Sequence, residues 1–136
     1  MNKYTIEGTK AQMIQWLDFI EEGANPHDII EVTDRLEKIA SYLASSPPYV
    51  AFAEKIMAKA QNKELIKILK HPIHRTLEIN NKKILINGKC SDEIALVTYC
   101  QRANAALTHC LEAGRSQLTT LRMELDFEMR GGEINQ

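Results

Sequence analysis

The chain reads as mainly α with one small β-hairpin: N-terminal helices, the hairpin, then a long C-terminal helix with a heptad seam. Three observations predict this. From Ser91 to about Arg130 no proline occurs, and Val97, Cys100, Asn104, Leu107, Leu111, Gly114, Leu118, Leu121, Leu125 and Glu128 alternate in steps of three and four. That spacing is an a/d heptad frame. Stripes of helical period also cover residues 13–20 and 29–43, whereas between residues 77 and 86 the period changes to two.

The first helix is expected from a capping box, Thr9-Lys10-Ala11-Gln12, with Thr9 as N-cap and Gln12 reaching back. Met13, Trp16, Leu17 and Ile20 form its apolar face, and Gly23 stands at its end. Trp16 reads as a core anchor with its indole N–H at the edge. Asn25-Pro26 is expected to open the second helix, Asn25 capping and Pro26 in the first turn, where its missing N–H is harmless. Ile29, Val32, Leu36, Ile39 and Leu43 make the inward stripe, and Asp28, Glu31, Asp34, Arg35, Glu37 and Lys38 read as a solvated face.

Ser45-Ser46-Pro47-Pro48 predicts a break, with Ser46 capping a third helix whose apolar surface is Val50, Phe52, Ile56, Met57 and Ala60. Gln61-Asn62 is a candidate interruption, and His71-Pro72 should end helical structure because proline disfavours helix for the residue before it. Leu77 and Ile79, then Ile84 and Ile86, flank Asn80-Asn81-Lys82-Lys83, which predicts a hairpin with the four apolar residues on one face. Asn87-Gly88 would turn the chain into the last helix. Residues 1–90 are therefore expected as a helical domain ending in the hairpin, and 91–136 as the long helix, in one continuous structural unit.

That last helix carries the main physical message. Ser91 is a suitable N-cap, Asp92 and Glu93 complement the dipole of the first turn, and Gly131-Gly132 is a ready stop. A helix of about 39 residues is ~58 Å long, while a compact domain of this chain length is roughly 35–40 Å across. It would overhang its own domain with Leu118, Leu121 and Leu125 on the overhang. Each such side chain left in water forgoes roughly 1.5–3 kcal/mol. The expectation is a homodimer or higher oligomer joined along Val97, Asn104, Leu107, Leu111, Leu118, Leu121 and Leu125, with Asn104 at an a position fixing register. The alternative is a stop at Gly114 and a fresh cap at Ser116, which would fold the leucines into an internal helical hairpin.

Composition bounds the function. With 44% hydrophobic residues, 26% charged and a net charge of -1, the chain is ordinary for a globular protein and shows no global field toward nucleic acid or membrane. Met1 to Gly8 lacks the apolar core of a signal peptide, and no apolar run approaches the ~20 residues that span a bilayer. The expectation is a cytoplasmic protein with no membrane partner. Cys90, Cys100 and Cys110 form no CxxC pair and read as reduced thiols, although a Cys100–Cys100 bridge across the seam is geometrically conceivable.

Near neutrality conceals regional charge. Residues 1–54 hold four bases against nine acids, and 90–136 are net acidic. Residues 55–89 hold nine bases, Lys55, Lys59, Lys63, Lys67, Lys70, Arg75, Lys82, Lys83 and Lys89, against Glu64 and Glu78. The first eight of these are the candidate nucleic-acid or anion-binding residues. Lys55, Lys59, Lys63 and Lys67 recur every fourth position and would form one drifting ridge on a helix. The segment has one arginine and no aromatic to stack bases, so a solvated face or a protein partner fits as well.

No catalytic, cofactor or metal signature emerges. His71-Pro72-Ile73-His74 near Cys90 is a loose HxxH lacking the second ligand pair of a zinc site. His109 and Cys110 would point about 100° apart on a helix, and Asp126 and Glu128 do not share a face. No glycine-rich phosphate loop occurs. Three functional readings remain: a non-enzymatic, self-associating binding or regulatory protein that engages another macromolecule; a nucleic-acid-binding protein using residues 55–89; and a small-ligand or catalytic site formed between subunits.

Overall fold

The computed structural model describes residues 4–134, with side chains described through Gly131. Among the described residues every regular element is helical: α1 (Ile6–Glu22), α2 (Ile29–Lys70), a 3-10 turn (His74–Thr76), α3 (Ile79–Lys89) and α4 (Ser91–Ile134). The chain divides into two compact units. One takes the described residues through Met13 together with Ser46–Arg102; the other takes Ile14–Ser45 and α4 from Ala103 onward.

The N-terminal caps of α1 and α2 lie elsewhere than predicted. Thr5, not Thr9, caps α1: its hydroxyl accepts the Gly8 N–H at 3.0 Å. Thr9 is buried one turn inside the helix and donates its own hydroxyl to the Thr5 carbonyl at 2.7 Å. For α2 the cap is Asp28, whose Oδ1 accepts the N–H groups of Ile30 and Glu31 at 3.0 and 3.1 Å. Asn25 instead makes a local turn, its Oδ1 accepting the His27 N–H at 3.1 Å. Gly23 closes α1 with φ at 67°, a conformation that favours glycine.

The break expected at Ser45–Pro48 does not occur. Helix α2 runs unbroken from Ile29 to Lys70, through both prolines and through Gln61-Asn62. Its inward stripe explains why: Ile39, Ser46 and Ala53 are buried, Tyr42, Tyr49 and Ile56 are half-buried, and the three- and four-residue steps pass Pro47 and Pro48 without a slip. Both prolines face outward, away from that stripe, and two carbonyls one turn back, those of Leu43 and Ala44, lose an N–H partner. Packing along the whole stripe outweighs the local cost of the proline pair.

The predicted β-hairpin is absent; residues 79–89 are helix α3. Two isolated strands are marginal in water, and the described chain offers no third strand to complete a sheet. A helix satisfies its backbone groups within the segment, and it half-buries Lys82, Leu85 and Ile86 at helical spacing. No non-glycine residue among those described adopts positive φ, so Asn80-Asn81 forms no left-handed hairpin turn.

In the first unit the core is Thr9, Met13, Ser46, Ala53, Ile68, Cys90, Leu96, Val97 and Cys100, roofed by Tyr4 edge-on to Tyr49 at 4.9 Å. In the second it is Trp16, Val32, Ile39, Ala103, Leu107 and Leu111, with Trp16 stacked on Tyr42 at 5.8 Å and Phe19 edge-on to the same ring at 5.3 Å. Arg35, expected on the solvated face, is half-buried in this unit. Its guanidinium donates to the carbonyls of Phe19 and Ile20 at 3.0 and 2.8 Å and lies 5.0 Å from the Phe19 ring centroid. It thereby satisfies carbonyls that the end of α1 leaves without partners.

Candidate functional site

Helix α4 takes Ser91 as its first helical residue, so the cap position falls on Cys90, whose carbonyl accepts the Ile94 N–H at 3.0 Å, and not on Ser91 as expected. With Asp92 and Glu93 in its first turn, the helix passes Gly114 without a break and continues beyond Gly131 to Ile134, so neither glycine stop is used. Its heptad seam divides in two. Cys100, Leu107 and Leu111 are respectively 0%, 0% and 8% exposed, and Val97 is buried as well, so the first half of the seam is already covered by the chain itself. Asn104 is half-buried. Beyond Leu111 the cover thins: Leu118 and Leu121 are half-buried, Leu125 is 48% exposed and Met129 64%.

The change of environment has a position. Gln117 donates its side-chain N–H to the Pro26 carbonyl at 3.0 Å, which ties α4 to the connection between α1 and α2. A cleft of about 260 Å³ there is lined by Gly23, Ala24, Pro26, Leu36, Cys110, Gly114 and Gln117 among others. Past Gln117, α4 continues to Ile134, a distance of ~25 Å at the helical rise. Residues 122–130 are exposed on every side, including Met123 and Phe127 on the face opposite Leu125. A helix apolar on two sides is suited to more than one neighbour.

The basic segment is dispersed over one unit. Lys55, Lys59, Lys63, Lys67 and Lys70 are exposed along the second half of α2, where each fourth residue drifts by about 40° around the axis. Arg75 is exposed in the 3-10 turn, Lys83 and Lys89 on α3, and Lys82 is half-buried. A cleft of about 230 Å³ gathers only Lys67 and Lys89, with Glu64, Ile68, His71, His74 and Leu85. Lys67 is paired with Glu64 at 3.3 Å, a contact with a largely exposed lysine and worth little.

His71 and His74 stack at 3.9 Å with rings 15° apart. Nδ1 of His71 accepts the N–H groups of Ile73 and His74, both at 3.1 Å, so that nitrogen holds the turn after α2 and is unavailable to a metal. Among the described residues no group of three or more His, Cys, Asp or Glu is placed to hold a metal ion. Cys90 is buried; burial pushes its thiol up, with the carboxylates of Glu93 and Glu64 adding to the effect. Burial alone raises Cys100. Such thiols are poor nucleophiles, because the thiolate is the reactive form.

No described helix is long and apolar enough to cross a membrane. No protein-family model, curated protein or solved structure matches the chain.

Proposed function

We propose that the chain is a non-enzymatic, self-associating binding or regulatory protein, with assembly carried by the end of α4 and recognition of another macromolecule by residues 55–89. The observation that supports this reading is the fate of one helical face. The seam that is buried at Leu107 and Leu111 continues in register through Leu118, Leu121, Leu125 and Met129 while the chain's own cover thins from half-burial to exposure. Exposed apolar side chains in one continuous row signal a contact to be made. Because Val97, Leu107 and Leu111 are already packed within the chain, the assembly surface narrows to Leu118, Leu121, Leu125 and Met129. The reading places the protein in the cytoplasm, where its three free thiols would stay reduced.

The test is the mass of the assembly in solution. Wild type is expected to sediment above one chain's mass, and Leu118→Asp plus Leu125→Asp to sediment as a monomer. Equal sedimentation of the two removes the assembly role from these leucines.

A second reading, nucleic-acid binding, is favoured by Lys55, Lys59 and Lys63 standing exposed on one uninterrupted helix. Affinity for random duplex or single strands should then fall steeply with salt, and the slope should shrink when Lys59 and Lys63 become Gln. Absence of binding at low salt eliminates it.

A further inference from the structure

Two uncovered apolar strips lie on the chain, edged by charge of opposite sign. The first is the end of α4, where Leu121, Leu125 and Met129 share one side of the helix. Glu124 and Glu128 stand one turn apart along one side of that strip and Arg122 on the other, and neither glutamate is ion-paired among the described residues. The second strip is the last part of α2. Leu65, Ile66 and Leu69 share a face there, with Ile66 and Leu69 52% and 53% exposed, and Ile73 in the following turn is 69% exposed. Lys59, Lys63 and Lys70 run beside Ile66, and none of them is ion-paired among the described residues.

We propose that these strips dock on each other between copies: the apolar end of α4 in one chain, by its Glu124–Glu128 side, lies on the basic, apolar end of α2 in the next. This rests on the self-association reading and names the surface that receives the helix. Pairing like with like leaves a charge conflict. Two α4 ends paired antiparallel along Leu121 and Leu125 would bring the Glu124 edges together, and paired in parallel they would set Glu128, a core position of the heptad frame, against its counterpart. Two α2 ends paired antiparallel would bring lysines together, and each of these contacts is repulsive. Docking α4 on α2 covers both strips with one kind of contact and sets Glu124 and Glu128 against Lys63 and Lys70. The interface is heterologous, so each copy offers one of each surface and assembly proceeds to a closed ring or an open chain.

The experiment uses the full chain in two variants whose changes fall on exposed positions. One is Leu125→Asp plus Met129→Asp; the other is Ile66→Asp plus Leu69→Asp. Wild type should show a mass that rises with concentration beyond a dimer, and each variant alone should be monomeric. Mixed in equal amounts they should form a species of twice the mass of one chain and go no further, because the mixture retains one intact α4 end and one intact α2 face. As a check independent of the apolar changes, Lys63→Glu plus Lys70→Glu should weaken self-association at least ~10-fold. If the α2 variant assembles like wild type while the α4 variant is monomeric, the α4 end pairs with itself: the docking surface is wrong and self-association stands. A mixture that stays monomeric overturns the docking as well. Monomeric wild type at high protein concentration overturns both readings.

Discussion

A methyl group of Leu36 on α2 occupies the place that a Cβ on Gly114 of α4 would take. The Leu36 Cγ would stand only 3.3 Å from such a Cβ, so a rotation about the outer bond of Leu36 does not clear the site. Glycine at an a/d position of the heptad frame is therefore a close approach of two helices within one unit.

Gly114→Ala sets two effects against each other. Alanine gains about 1 kcal/mol of helix propensity, while forcing extra volume against Leu36 costs roughly 1–3 kcal/mol. The expected net is a loss of about 1 kcal/mol by urea denaturation. In a Leu36→Ala background the same change should become neutral or stabilising, since the obstructing methyl is gone. A Gly114→Ala single variant more stable than wild type would show that the contact is loose.

Arg35 is the residue whose role was least visible in the sequence, where it sits among five other charged residues. Its two hydrogen bonds to Phe19 and Ile20 are charge-assisted, and the guanidinium fork makes both at once. Arg35→Met should destabilise by about 2 kcal/mol in thermal or chemical denaturation. Arg35→Lys should recover less than half of that, because an ammonium does not present two parallel donors. Full recovery by lysine would reduce the contact to simple charge at a helix end.

The parts of the fold that were legible depended on period, and the parts that were not depended on competition between local and distant terms. Met13 and Trp16, the stop at Gly23, the end of α2 at His71 and the start of α4 at Ser91 are local signals with nothing opposing them. Pro47-Pro48 is an equally strong local signal, yet the stripe of Ile39, Ser46 and Ala53 continues through it and packing overrides it. Reading that stripe across the prolines would have found the long helix. In residues 77–86 a short period-two pattern over four apolar residues lacked a sheet to join. The caps of α1 and α2 were missed because Thr5, Thr9, Asn25 and Asp28 are all eligible cap residues and spacing alone did not choose among them. The uncovered end of α4 followed from length and period, whereas the burial of Val97, Leu107 and Leu111 required knowing what packs on them.

Ser46 offers a test of the cost of this continuity. Its hydroxyl is fully buried and has no hydrogen-bond partner among the described residues. An unsatisfied buried polar group costs about 1–3 kcal/mol, so Ser46→Ala should raise stability, by about 1 kcal/mol in urea denaturation. A loss of stability would point to a partner, such as a bound water, that satisfies the hydroxyl.

The asparagine-for-aspartate exchange of cap roles is measurable by substitution. Asp28→Ala should cost about 1 kcal/mol, since it removes the acceptor for two backbone N–H groups at the start of α2. Asn25→Ala, which loses a single turn contact, should cost a few tenths of that scale. The reverse order would return the cap to Asn25.

The cysteines give the last test, in which rate and pH report the same burial. Cys110 is partly exposed, whereas Cys90 and Cys100 are buried, so a thiol reagent should label one site per chain quickly and the other two only as the protein unfolds. Cys90 and Cys100 both have thiols raised above the ordinary value of 9.0 in the folded chain. The unfolded chain therefore releases these protons first as pH rises, and the loss favours unfolding. Their contribution to stability is fully present below about pH 9 and declines as pH climbs from there toward the raised folded values. Stability measured by urea denaturation across that window should fall more steeply for wild type than for Cys90→Ala, in which one of the two groups is gone. Equal slopes would mean that Cys90 is as free to ionise folded as unfolded, and fast labelling of three thiols in the native protein would contradict the burial directly.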